Sequence, residues 1–125
     1  IAELLCELEK RGLPWGVVTN KIERFTLPLL EKLQLAGRAA CIVSGDTCSN
    51  FKPHPEPLLH ASREMGIPAG DCVYVGDDER DVQAARAAKM QVVVVLYGYL
   101  GNGAQPESWG ADALINTPQE LLRYL

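Results

Sequence analysis

The sequence predicts a layered α/β domain built on a parallel sheet. Three observations carry that prediction: short, wholly apolar strand-like runs, helical apolar spacing between them, and polar residues crowded just after the runs. The length agrees, since 125 residues with 47% hydrophobic and 22% charged side chains suit one modest core and one domain.

Leu4, Leu5 and Leu8 share a helical face between Glu3, Glu7 and Lys10, and Gly12 then Pro14 stop that helix near residue 11. Trp15-Gly16-Val17-Val18 is a buried strand that ends in the polar pair Thr19-Asn20. Leu29, Leu30 and Leu33 mark a second helix, expected to start near Thr26 because Pro28 is tolerated in a first turn and not in a helix interior. A second strand covers Ala40 to Val43. Ser44 to Pro57 is a polar loop with three prolines, after which Leu58, Ala61, Ser62 and Met65 run helically to a stop at Gly66.

Cys72 to Val75 is the third strand. Gly76-Asp77-Asp78-Glu79-Arg80-Asp81 then turns into an alanine-rich helix over 82–89, whose acidic first turn suits the positive end of a helix dipole. Val92 to Leu96 is the most apolar strand, followed by a glycine-rich loop from Gly98 to Gly110 and a short strand at Ala113 to Ile115. Thr117-Pro118-Gln119-Glu120 reads as a capping box that opens a last helix. There is no internal repeat.

Composition narrows the function classes. With 12 Lys and Arg against 16 Asp and Glu, the net charge of -4 has the wrong sign for a general grip on a nucleic-acid backbone. Cys6, Cys41, Cys48 and Cys72 form no C-x-x-C pair, and His54 and His60 complete no zinc set, so reduced structural thiols are expected. No apolar run approaches the roughly 18 residues of a membrane helix, and the expected location is cytoplasmic. The chain opens on Ile1-Ala2-Glu3-Leu4-Leu5, without Met and inside a helix, and is expected to be a piece of a longer protein.

In parallel α/β sheets, ligands collect at the carboxyl ends of the strands. Thr19 and Asn20 follow the first strand, Lys52 lies in the loop after the second, and Asp77, Asp78 and Asp81 follow the third. Hydroxyl, amide and backbone donors with one ammonium suit a phosphate, and clustered carboxylates suit a hard cation such as magnesium. Plainer readings stand beside these. Thr19-Asn20 could be a turn, Asp78 and Asp81 could cap a helix, and Lys52 could be a solvated surface residue. His54 and His60 read as loop and helix-surface residues, and Trp15 and Trp109 as packing residues.

Taken together, these residues resemble the haloacid dehalogenase-like phosphatases, in the branch of phosphoglycolate phosphatase and N-acetylmuramic acid 6-phosphate phosphatase. Val17-Val18-Thr19-Asn20 is similar to the second of the family's four motifs, Lys52-Pro53-His54-Pro55-Glu56-Pro57 to the third, and Tyr74-Val75-Gly76-Asp77-Asp78-Glu79-Arg80-Asp81 to the fourth. The resemblance covers nearly all of residues 1–125. It implies a Rossmann-like three-layer core and a magnesium-dependent hydrolysis of a small phosphomonoester through an aspartyl-phosphate. It implies that Thr19, Asn20 and Lys52 bind the phosphoryl group, with Thr19, Lys52 and Asp81 in catalytic roles. Asp77, Asp81 and Asp78 would serve the metal, Asp81 by ordering Lys52 and metal-bound water.

The family's first motif, D-x-D-G-T, occurs nowhere in the 125 residues. The resemblance therefore implies a partial core domain that lacks the first-motif strand, the nucleophile and the substrate-reading cap, and that is inactive alone. The partners implied are a small phosphorylated metabolite and the missing N-terminal part of the same chain. Two other classes fit the composition: a receiver-type signalling domain and a non-catalytic binding module on the same type of fold. A receiver needs its acidic pair after the first strand and its Lys last, the reverse of the order here. Because the family's first-motif strand lies between the strands that here end at Thr19 and Val75, a gap of two strand spacings, about 10 Å, is expected there.

Overall fold

The computed structural model describes residues 2–96 and 106–125. Five strands and four α-helices follow one another as α1 (Ala2–Lys10), β1 (Val17–Val18), α2 (Glu23–Lys32), β2 (Ile42–Val43), α3 (Glu56–Met65), β3 (Val73–Gly76), α4 (Glu79–Ala87), β4 (Gln91–Val95) and β5 (Ala113–Ile115). Every strand pairing is parallel, as the wholly apolar strands require. β1 pairs with β2, Val17 opposite Ile42, while β3, β4 and β5 form a second sheet with Val75 opposite Val93 and Val94 opposite Leu114.

β4 explains why this sequence makes layers. Its valines alternate between two faces: Val92 and Val94 pack with Leu58, Val82, Ala84 and Ala85 of α3 and α4, and Val93 and Val95 pack with Leu4, Leu8, Ile115 and Leu121. Both faces are covered, and all four valines are buried. Burying one such side chain stabilises by roughly 1.5–3 kcal/mol, so this strand anchors the fold. A smaller cluster of Cys41, Val43 and Ala61 sits under β1 and β2.

β1 and β3 belong to different sheets and share no backbone pairing, as the missing-strand argument expects. An apolar cavity of about 490 Å³ lies between them, lined in part by Leu4, Leu8, Trp15, Val17, Val73 and Val75. Among the described residues no helix is long and apolar enough to cross a membrane.

Strand boundaries match expectation to within one or two residues, but four helical segments differ. α2 starts at Glu23, not Thr26, because the Glu23 N–H donates to the Asp46 carboxylate at 2.9 Å, a cap supplied by a distant loop. Thr26 is instead buried in the helix, where its hydroxyl donates to the Lys21 and Ile22 carbonyls. Pro28 therefore falls inside the helix on an exposed position, where it offers no N–H to the Arg24 carbonyl. α3 and α4 start earlier than expected, at Glu56 and Glu79, and α4 stops at Ala87 as Lys89 turns left-handed with φ 62°.

The fourth difference is at the C-terminus, where Pro118–Tyr124 winds as a 3₁₀ helix and Thr117 makes no side-chain cap. The Glu120 carboxylate accepts from the Asn116 N–H at 3.1 Å, one residue earlier than a capping box requires. Much of the expected Gly98–Gly110 loop lies outside the described residues; Pro106–Ser108 is a single 3₁₀ turn and Gly110 has φ 84°.

Candidate active site

The last ladder bond of β1 is the Thr19 N–H to the Val43 carbonyl, 2.9 Å, and the polar pair Thr19-Asn20 leaves the sheet there. The Thr19 hydroxyl accepts from the Lys21 N–H at 3.1 Å, a local turn of the kind the residue type favours. Asn20 reaches further. Its side-chain oxygen accepts from the Lys52 N–H at 2.9 Å, and its side-chain nitrogen donates to the Lys52 carbonyl at 3.1 Å. Gly45 makes room for this, because a Cβ there would lie 2.0 Å from the Asn20 carbonyl oxygen.

Held by its backbone, Lys52 extends its ammonium to Asp81 Oδ1 at 2.6 Å and to the Tyr74 hydroxyl at 2.9 Å. Asp81 is 5% exposed. Its other oxygen, Oδ2, accepts from the Asp77 and Asp78 N–H groups at 3.1 and 3.2 Å. A Cβ on Gly76 would lie 2.4–2.5 Å from the Asp81 side chain, so only glycine lets β3 turn this closely over the carboxylate. Burial works against the Lys52 charge, but the adjoining Tyr74 and Asp81 oxygens outweigh it and raise its pKa. Burial pushes the Tyr74 phenol up to about 12, so it is neutral at neutral pH. The pair is thus buried, and both oxygens of its carboxylate accept hydrogen bonds.

Asp78 is the N-cap of α4, accepting from the Arg80 N–H at 2.9 Å, and it forms a capping box with Asp81. That N–H is the main reason its pKa is lowered. Asp77 sits at the turn between β3 and α4 with its side chain exposed. No three His, Cys, Asp or Glu residues gather as a metal-holding group among the described residues.

Asn20, Lys52 and Asp81 therefore meet in one network at the strand ends. Thr19 follows Val18, whose carbonyl lies 3.3 Å from the Tyr74 hydroxyl, and Asp77 donates its N–H to Asp81. Asp78 stands beside them but turns to Arg80. His54 accepts from the Glu56 N–H at the start of α3, and His60 pairs with Glu64, so both lie outside the network. Tyr74 is the residue the sequence reading left unassigned; the signal was a lone hydroxyl in the apolar run Cys72-Val73-Tyr74-Val75.

A parallel α/β core with a buried lysine–carboxylate pair and open backbone turns at its strand ends is the architecture of an α/β enzyme core. The chain belongs to the haloacid dehalogenase-like hydrolases, whose family model matches residues 1–95. It is 48% identical to a phosphoglycolate phosphatase of Xanthomonas campestris over 118 residues, 94% of this chain and 53% of that protein. It is 42% identical to an N-acetylmuramic acid 6-phosphate phosphatase of Pseudomonas aeruginosa over 125 residues, all of this chain and 55% of that protein. The crystal structure of a predicted phosphoglycolate phosphatase from Haemophilus somnus superposes with a TM-score of 0.90 at 26% identity, covering 98% of this chain and 54% of that one. The chain spans about half the length of the curated relatives it matches.

Proposed function

We propose that residues 1–125 are the C-terminal part of the core of a magnesium-dependent phosphatase that hydrolyses a small phosphomonoester, of the phosphoglycolate or sugar phosphate type, through an aspartyl-phosphate. The observation that carries this reading is the Lys52–Asp81 pair, 2.6 Å apart, with the Lys52 backbone clamped by Asn20. A fixed ammonium at strand ends stabilises charge on a transferring phosphoryl group without reorganising during reaction.

In this reading Lys52 neutralises phosphoryl oxygens and Thr19 donates its hydroxyl to one of them, the turn bond from Lys21 leaving that hydrogen unused. Asp81 keeps Lys52 charged and aimed. Asn20 serves the phosphate by holding Lys52 rather than by touching it. The nucleophilic aspartate comes from the part of the protein outside these 125 residues.

Magnesium keeps several waters and takes one or two carboxylates plus phosphate oxygens. The exposed Asp77 carboxylate fits that donor set, whereas Asp78 is engaged by Arg80 and both Asp81 oxygens accept internal donors. Asp77 is thus proposed to hold the ion, which when bound would offset phosphoryl charge. The enzyme is read as cytoplasmic, in keeping with four free thiols.

The test is release of inorganic phosphate from a panel of phosphorylated metabolites by the full-length protein, with and without chelator. Turnover of at least one small phosphomonoester, abolished by chelation, is expected. Full activity in excess chelator, or a parent without an upstream D-x-D, would overturn the mechanism and favour a non-catalytic module.

A further inference from the structure

We infer that Tyr74 is a positioning residue whose hydroxyl holds the Lys52 ammonium so that a single N–H of Lys52 is left to meet a phosphoryl oxygen. The inference rests on the phosphatase reading of the site and adds to it the residue that sets the direction of its cation.

An ammonium has three N–H donors and no acceptor. One goes to Asp81 Oδ1 at 2.6 Å and a second to the Tyr74 oxygen at 2.9 Å, which leaves one. Having accepted from Lys52, the phenol still carries one hydrogen, and the Val18 carbonyl stands 3.3 Å away to receive it, ahead of Asp81 Oδ1 at 3.4 Å. Tyr74 lies on β3 and Val18 on β1, so within these 125 residues the hydroxyl reaches from one sheet to the other; where the missing strand takes the Val18 carbonyl, the phenol hydrogen turns to Asp81 Oδ1 and the contact with the Lys52 ammonium is kept.

The contact is made by the hydroxyl and not by the ring face. The ammonium is 5.5 Å from the ring centroid but 2.9 Å from the oxygen, so it meets the ring at its hydroxyl end. The ring itself packs against the cluster that contains Leu58, Val82 and Val92. Packing and hydroxyl can therefore be separated by substitution.

Tyr74→Phe keeps the ring and removes the oxygen; Tyr74→Leu removes both. In the full-length protein with p-nitrophenyl phosphate, Tyr74→Phe is expected to lower kcat about tenfold with KM nearly unchanged, the pattern of a lost transition-state interaction. Its melting temperature should stay at the wild-type value, while Tyr74→Leu loses both. The second readout needs no turnover: the ¹⁵N signal of Lys52 Nζ, sharp in a pinned ammonium, should broaden in Tyr74→Phe. If the wild-type protein hydrolyses no phosphomonoester, the phosphatase reading falls and the Nζ signal alone decides on Tyr74. Wild-type kcat in Tyr74→Phe, or an unchanged Nζ signal, overturns the inference.

Discussion

The side chain of Asn20 grips the main chain of Lys52, 32 residues away, through both the oxygen and the nitrogen of its amide. One donor and one acceptor of a loop that belongs to neither sheet are satisfied by one carboxamide at the end of β1. The ammonium of Lys52 is thereby brought to Tyr74 on β3.

Asn20→Ala should release that loop. Two part-buried hydrogen bonds are lost, and the stability cost is expected at about 1–3 kcal/mol. Asn20→Asp keeps the acceptor for the Lys52 N–H but sets a carboxylate oxygen against the Lys52 carbonyl, so it should not rescue. Urea unfolding of the full-length variants measures this, and an unfolding midpoint within error of wild type for Asn20→Ala would contradict it.

Asp81→Ala strands a buried ammonium and removes the acceptor of two N–H groups. A broken buried pair costs about 3–5 kcal/mol, and a similar loss is expected here, read by chemical denaturation. A loss under about 1 kcal/mol would mean that solvent already screens the pair.

Gly76→Ala reaches the same pair from the other side. With a new methyl 2.4–2.5 Å from Asp81 atoms, either the carboxylate or the turn must move, and a cost of about 1–3 kcal/mol is expected. The accompanying loss of turnover should exceed that of a distant substitution of equal stability cost. Equal losses would show that Asp81 relaxes without disturbing Lys52.

Asp77→Asn should abolish magnesium-dependent turnover by several orders of magnitude while leaving the unfolding midpoint close to wild type, since the carboxylate is exposed. Titration of magnesium against activity checks it. Wild-type turnover in this variant would remove Asp77 from the metal.

Far from the site, Asp112 joins the start of β4 to the approach of β5. Its carboxylate accepts from the Val92 N–H at 2.8 Å and pairs with Arg86 at 3.1 Å, and the Val92 bond is the main cause of its lowered pKa. Near and below pH 4 the unfolded chain binds the proton first, so this stabilisation is present above that range and is lost as pH falls through the lower folded value. Asp112→Asn should therefore show a shallower acid limb in stability against pH. The effect should be modest because the side chain is 42% exposed. Identical acid limbs would refute it.

Periodicity and punctuation along the chain were enough to determine the layered parallel architecture. The valines of β4, the glycine stop at Gly66 and the polar residues after each strand are local signals, written within a few neighbouring positions. The same holds for the motif order that led to the family. Tertiary structure alone decided what spans tens of residues: the Asp46 cap that starts α2 a turn early, the Asn20 clamp on Lys52, and the Tyr74 bridge to Val18, 56 residues apart. It also turned Asp78 toward Arg80 and gave both Asp81 oxygens internal donors. The physical reason is one of range. Backbone propensity and apolar spacing act over one or two turns, whereas a side chain's hydrogen-bond partners are settled only when the sheet order brings remote strand ends together.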